Sequence, residues 1–411
     1  MKIIERLFDG IRRNFDADDI SIAVDGSAVK RESDYGDMAG TGHPRDKNPD
    51  GMQTEFMMAV YQKSKIPFYV GAFSGEVSDE EQYARSLPEI LSLLDHGKLD
   101  AYSEYLEEWK PPESRRKNER IHPFKEDADL SKLKECTRLA RWIVLDNGGE
   151  SKYNTNLICG LGHNYITRKK LNGSDRIKTE DRRDWEYVKP GVWCTKTVFG
   201  DSGRTSYPFF NEALYAKKLA TAERRFSRRM EITEKIIGGK VPKNGMVSKK
   251  DIPFVDFDIT VTVQNVFSSF TEDDRKAEIE RMMGPFAGIF KLESNRELTP
   301  KDALELYRGR VIVEHTISLF KQISGIKPMR VWRRESIIGS LVLALLTEAV
   351  LSMARFDAEP RPVPRTIGSV RTEVRMKPST KTIRGSLSHL TVTVVNRKNS
   401  VKELVRKFKP A

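Results

Sequence analysis

Hydrophobic and polar positions along this chain follow two periods, and the switches between them set out its elements. Residues 1–18 are amphipathic with a helical period. "ISIAVDGSAV", Ile20 to Val29, reads as a buried strand whose polar point is Asp25. A polar loop, Gly40 to Gly51, leads into two further strand candidates, Thr54–Gln62 and Ile66–Ser74, separated by the turn Lys63-Ser64-Lys65. Ser78 caps a predicted helix over residues 78–94. Residues 97–129 are charged and interrupted by proline. The apolar run Trp142–Leu145 then stops at Asp146, followed by Asn-Gly-Gly, which predicts a strand tip opening into a loop. A short helix over Asn154–Gly162 and a strand over His163–Lys170 complete this half.

From about Leu171 to Asn295 the texture changes. Charges are dense, and Trp185, Trp193, Tyr207, Phe209 and Phe210 are scattered among them. "DFDITVTVQNVF", Asp256 to Phe267, alternates as a strand, and Tyr215–Arg229 reads as a basic helix. The region is expected to be a β-rich insertion domain. Thr299 as cap, Pro300 at the first helical position and Asp302 near the dipole's positive end then start a new helix. At about 100° per residue, Tyr307, Arg310, Glu314 and Lys321 fall within a stripe of roughly 60°. Ile312, Val313, Leu319, Phe320 and Ile323 occupy the other side, so the stripe is predicted to face away from a core. "SIIGSLVLALLTEAVLSMA", Ser336 to Ala354, is broken by Glu348 and reads as a buried core helix rather than a membrane span.

Charge changes the picture at one end. The chain of 411 residues carries a net +12. Residues 361–411 hold 13 Lys or Arg against Glu373 and Glu403, so 13 − 2 = +11 of that excess lies there. Such a tail suits a polyanion, most often nucleic acid, or serves as a solvated tail. Three cysteines, Cys136, Cys159 and Cys194, with no CxxC pair, fit a reducing cytoplasm and no disulfide framework. Cys159 and His163 are four apart, but no second pair completes a tetrahedral zinc set.

Three acids stand out by position: Asp25 on a first strand, Asp146 at a later strand tip, and Glu314 on the polar stripe of a late helix. Converging carboxylates repel unless cations neutralise them, and Mg²⁺ or Mn²⁺ takes oxygen ligands while keeping sites for water and phosphate. Two such ions can support in-line attack on a phosphodiester. Taken singly, each acid has a structural reading: Asp25 capping a turn, Asp146 in an Asx-turn, Glu314 paired with Arg310 or Lys321.

The Tyr307, Arg310, Glu314, Lys321 spacing resembles the Tyr-Arg-Glu-Lys signature of a group of insertion-sequence transposases of the DDE type, with ribonuclease H-like cores. "VDGSAV" and "IVLDNGGESKYNTNLICGLGHNYITR" resemble that family's two aspartate blocks, and residues from Gly288 to Leu346 its C-terminal block. The resemblance covers roughly residues 20–355. It implies an α/β fold: a ribonuclease H-like mixed β-sheet core flanked by helices and interrupted by a β-rich insertion domain. The expected layout is a short N-terminal helix (1–19), the first part of the core (20–170), the insertion (171–295), the second part (296–358) and the basic tail (359–411). By the resemblance Asp25, Asp146 and Glu314 form the catalytic triad holding Mg²⁺ or Mn²⁺, two ions. Tyr307, Arg310 and Lys321 would contact DNA phosphates, and Trp193 would stack on a displaced base unless it belongs to the insertion's core. The implied partners are double-stranded DNA and a second copy of the chain, with no membrane. The family carries a substantial end-recognising domain ahead of the first aspartate, whereas 24 residues precede Asp25. Two other readings share these residues: a transposase remnant that binds DNA without cutting it, and a ribonuclease H-like nuclease. Removing residues 361–411 is expected to flatten the salt dependence of DNA binding between 50 and 200 mM salt; an unchanged slope would exclude the tail from phosphate contact.

Overall fold

The computed structural model describes residues 2–15, 20–32, 36–41, 51–107, 123–129, 131, 133, 139–171, 185–199, 203–237, 271–323, 326, 329–367, 370–388, 390–397 and 400–408. The chain forms two compact units, Met1–Thr167 with Leu304–Ala411, and Arg168–Ala303. The first opens with α1 (Lys2–Phe15), whose Ile4, Phe8 and Ile11 recur at helical spacing and are buried. Strands β1 (Ser21–Lys30), β2 (Gln53–Tyr61) and β3 (Pro67–Ser74) form an antiparallel meander. α2 (Asp79–His96) follows, capped by Ser78, whose side chain accepts from the Glu81 N–H. β4 (Trp142–Leu145) runs parallel to β1 and ends in a 3₁₀ turn, Asn147–Gly149. After α3 (Lys152–Gly160), β5 (Asn164–Lys169) pairs parallel with β4 through its first four residues.

Within this unit the strand order is β3-β2-β1-β4-β5, a mixed sheet with helices on both faces. Alternation decides which face each residue serves. Tyr69 turns its hydroxyl to Glu89 of α2 at 2.6 Å, while its neighbour Phe68 packs against Phe8 of α1 on the other side. The expected mixed α/β class is the class observed.

The second unit holds β6 (Glu186–Lys189), β7 (Val192–Cys194), β8 (Thr197–Phe199) and β9 (Arg204–Asn211), then α4 (Glu212–Ile237), α5 (Glu272–Met283) and β10 (Ile289–Ser294). Its antiparallel order is β10-β9-β7-β6, with β8 also on β9. α4 and α5 pack through Ala222, Phe226 and Ile279. The strand expected over Asp256–Phe267 lies outside the described residues.

The helix expected to run through Tyr307 and Lys321 is two helices, α6 (Pro300–Arg308) and α7 (Val311–Ile323). At the break Arg310 N–H bonds Tyr307 C=O at 3.0 Å, a tighter i→i+3 link. The continuous 100° count therefore fails across Gly309. α7 buries Val313, Thr316, Ile317 and Phe320, and Phe320 meets Phe56 of β2 at 5.2 Å. Thr299 caps α6 as expected, accepting from Asp302 N–H at 3.1 Å.

α8 (Arg334–Asp357) is long and apolar enough by composition to cross a membrane. Its Ile337, Leu341, Ala344, Leu345 and Ala349 belong to the main core. The described part of the tail has more structure than its composition suggests: hairpin β11 (Arg361–Ile367) with β12 (Val370–Met376), α9 (Thr380–Ser388), and hairpin β13 (Leu390–Arg397) with β14 (Ser400–Phe408). Pro362 and Pro364 in β11 argue against a strand in sequence. Being two residues apart, they direct their missing donors to the same edge, which a two-stranded ribbon leaves open.

Glu348 is the exception in α8. It is buried, its Oε1 accepts from Ser352 Oγ at 3.4 Å, and Oε2 has no hydrogen-bond partner among the described residues. Burial pushes its carboxyl pKa up to about 7, against weaker opposing effects from Ser352 and Arg355. The folded protein therefore holds this proton more tightly than the unfolded chain does. The associated stability is complete below the unfolded pKa and is lost as pH rises through about 7. Glu348→Gln is expected to gain on the wild type between pH 4.5 and 8 by on the order of 2–3 kcal/mol, read by urea unfolding at both pH values.

Candidate functional site

The site begins with strand register. Parallel pairing sets Val24 beside Leu145, so the next residues, Asp25 and Asp146, stand side by side at the end of β4. β1 continues to Lys30 where β4 has stopped, which opens the sheet at that level. Asp25 is 8% exposed, and its Oδ1 accepts from Gly26 N–H at 2.9 Å.

Arg310, in the turn between α6 and α7, reaches both aspartates. Its Nη1 donates to Asp25 Oδ2 at 3.2 Å and lies 3.3 Å from Asp146 Oδ2. Its Nη2 lies 2.6 Å from Glu314 Oε1, one turn further along α7. Three acids from a strand, a strand tip and a helix thus converge on one guanidinium. Burial works against the charge of Arg310. Asp146, Asp25, Tyr307 and Glu314 together outweigh it and raise its pKa above the ordinary value.

The rest of the stripe closes around this cluster. Tyr307 donates its hydroxyl to Asp146 Oδ1 at 3.3 Å, and its ring centre lies 5.9 Å from the Arg310 guanidinium. Lys321 donates to Ser27 Oγ at 2.8 Å and to the Ala28 carbonyl, with its ammonium over Phe56. It therefore lies against β1 two residues past Asp25. Trp193 lies in the other unit, half-buried in β7 against Tyr187 and Phe210 at 6.3 and 6.2 Å.

A supporting layer carries no sequence signal of its own. Tyr83 of α2 is buried and donates its hydroxyl to the Val24 carbonyl at 3.0 Å. Burial, then the charges of Asp25 and Asp146, hold its pKa well above the usual phenol value, and a hydrogen bond from the Asp146 backbone draws it partly back. One phenol therefore ties the main chain of β1 to the tip of β4. A phenol on an apolar helix face reads as core, so sequence reasoning passes over it. Gln62 has a similar part at the helix break, donating to Leu306 C=O at 3.3 Å; a Cβ at Gly309 would come within 2.6 Å of its amide. His163, paired with Cys159 in sequence, has both ring nitrogens committed: Nδ1 accepts from Arg141 N–H at 3.2 Å, and Nε2 meets Asp95 Oδ2 at 3.0 Å.

Could the acids hold divalent ions? The donor set fits, since hard cations take carboxylate oxygens and the ionised cluster sums to −3 + 1 = −2. At present their oxygens lie 2.6–3.3 Å from the guanidinium nitrogens of Arg310. Among the described residues no three His, Cys, Asp or Glu side chains form a group that could hold one metal ion.

No protein-family model matches the chain, and no curated protein matches it. Among solved structures it is similar to the piggyBac transposase in a synaptic complex with hairpin DNA, determined by cryo-electron microscopy. The TM-score is 0.35 and the identity 10%, over 85% of this chain and 52% of that one. The chain thus spans about half the length of that transposase, and a likeness this distant leaves the chemistry of the site to its own residues.

A Cβ at Gly149 would stand 2.9–3.0 Å from the buried Tyr83 ring, and one at Gly148 would stand 2.9 Å from Oδ2 and 3.0 Å from Cβ of Asp79. Gly149→Ala is therefore expected to destabilise by ~1–3 kcal/mol in denaturant unfolding. An unchanged stability would show that Tyr83 does not fix the Asp146 loop.

Proposed function

We propose that this protein is a DDE-type DNA transposase with a ribonuclease H-like core. It would cleave a phosphodiester at a transposon end and join the freed 3′ hydroxyl to target DNA. The observation that carries this reading is the convergence of Asp25, Asp146 and Glu314, from three separate segments, on Arg310. A surface ion pair needs one acid; three acids drawn together against their repulsion call for a cationic ligand. The mixed sheet, with its two aspartates at adjacent parallel strands, is compatible with the core that the sequence resemblance implies.

In this reading Asp25, Asp146 and Glu314 hold two Mg²⁺ or Mn²⁺ ions. When bound, such ions activate water and stabilise the leaving 3′ oxygen. The chain's own part is to fix the carboxylates and orient the phosphate. Tyr307, Arg310 and Lys321 line the same edge and supply one hydroxyl and two cations for phosphate oxygens. Trp193 would stack on a displaced base, and the basic tail would add phosphate contacts. The protein would act as a homodimer on double-stranded DNA, in a reducing prokaryotic cytoplasm at the nucleoid.

A second reading, a remnant that holds DNA without cutting it, is favoured by one observation: no three acids are now grouped to hold an ion among the described residues. A duplex built from the DNA flanking the protein's own coding sequence separates the two. With Mn²⁺, the wild type should nick the duplex and yield strand-transfer products. Asp146→Asn and Glu314→Gln should each lose roughly 10³-fold in rate, about 4 kcal/mol of transition-state stabilisation. Binding without cleavage would establish the remnant, and cleavage without strand transfer a nuclease.

A further inference from the structure

The Arg310 cluster contains a conflict. A cation that bridges Asp25, Asp146 and Glu314 through the oxygens facing Arg310 would take the position that the guanidinium now holds, because Nη1 serves both aspartates and Nη2 the glutamate. The guanidinium nitrogens lie 2.6–3.3 Å from these oxygens, but ligands around Mg²⁺ sit at about 2.0–2.1 Å. The acids cannot close to the shorter distance with the guanidinium between them.

Charge points the same way. With Arg310 in place the ionised cluster sums to −3 + 1 = −2. If the arginine leaves and two divalent ions enter, it sums to −3 + 4 = +1, which suits a phosphodiester. Arginine binds phosphate oxygens with the same planar fork it uses for carboxylates, so a backbone phosphate is a competent alternative partner. The turn at Gly309–Arg310 places this side chain at a helix break.

We propose that Arg310 is the resident counter-ion of the three acids in the DNA-free protein, and that a DNA phosphate draws it away. Divalent ions then load only onto the DNA complex. This rests on the transposase reading and adds to it a regulation: an enzyme that is not armed until its substrate is seated. Arg310 acts through the acids and is a positioning residue in this respect.

The test is Mn²⁺ binding to the full chain, followed by the electron paramagnetic resonance of free Mn²⁺, with and without a 30-base-pair duplex of arbitrary sequence. Wild type should bind Mn²⁺ weakly alone and at least tenfold more tightly with DNA. Arg310→Gln, which keeps bulk and removes charge, should bind Mn²⁺ at least tenfold more tightly than wild type without DNA, and gain little when DNA is added. Arg310→Lys keeps the charge without the fork, should fall between the two, and carries the test if the glutamine variant does not fold, as judged by circular dichroism. If Arg310 variants bind Mn²⁺ no more tightly than wild type without DNA, while Asp146→Asn weakens binding, the gate is wrong and the metal site stands. If Asp146→Asn changes nothing under either condition, the three acids hold no metal. The functional reading then falls, and this inference with it.

Discussion

Mutual repulsion of carboxylates is the constraint on which the rest of this site depends. Three ionised acids brought to one place in a partly buried site repel one another unless a cation sits among them or one of them takes up a proton. Here the cation is Arg310, and its position follows from the backbone. Lys321, the other cation of the stripe, donates to Ser27 Oγ and to the Ala28 carbonyl. The fold's task is therefore double. It brings two strand ends to one level and delivers a guanidinium between them and a helix.

The two deliveries use different devices. Parallel register is a backbone property: once Val24 pairs with Leu145, Asp25 and Asp146 are neighbours whatever their side chains. The helix break works through side chains. A continuous helix would set Arg310 by wheel position alone. The break frees that residue from the helical ladder, and Glu314 re-enters it in the first turn of α7. There its negative charge also favours the positive end of the helix dipole. Gln62, bonded to Leu306 C=O beside Gly309, holds the break against the sheet.

Much of this layout is legible along the chain, and its limits have physical causes. Asp25 and Asp146 stand out because each interrupts or ends an apolar run, a one-dimensional signal. That they adjoin depends on which strands pair, which no local pattern carries. Tyr307, Arg310 and Glu314 come together as their spacing suggests, although the spacing argument assumed one helix and the structure has two. Gly309 was the available sign of that break, since glycine inside a helical pattern weakens it. Tyr83 gave none, because its role depends on its hydroxyl reaching backbone of two strands. The first tail hairpin was masked by Pro362 and Pro364, which are unfavourable only inside a wider sheet.

The supporting layer shows why the acids need more than a counter-ion. Arg310 attracts carboxylates but does not fix where they stop; a flexible fork would follow them. Tyr83 supplies the fixed point, since its hydroxyl bonds the carbonyl just before Asp25 and its ring leaves room only for glycine at position 149. Asn154 adds a bond to the Gly149 carbonyl at 3.1 Å, from a helix whose own cap, Ser151, is part of the same loop. The aspartate positions are thus held by buried backbone contacts that do not change with charge. Their neutralising partner is held by ion pairs, which do. A site built this way can exchange one cation for another while its carboxylates stay in register. A chemistry that needs phosphate and divalent ions to arrive together would require that asymmetry.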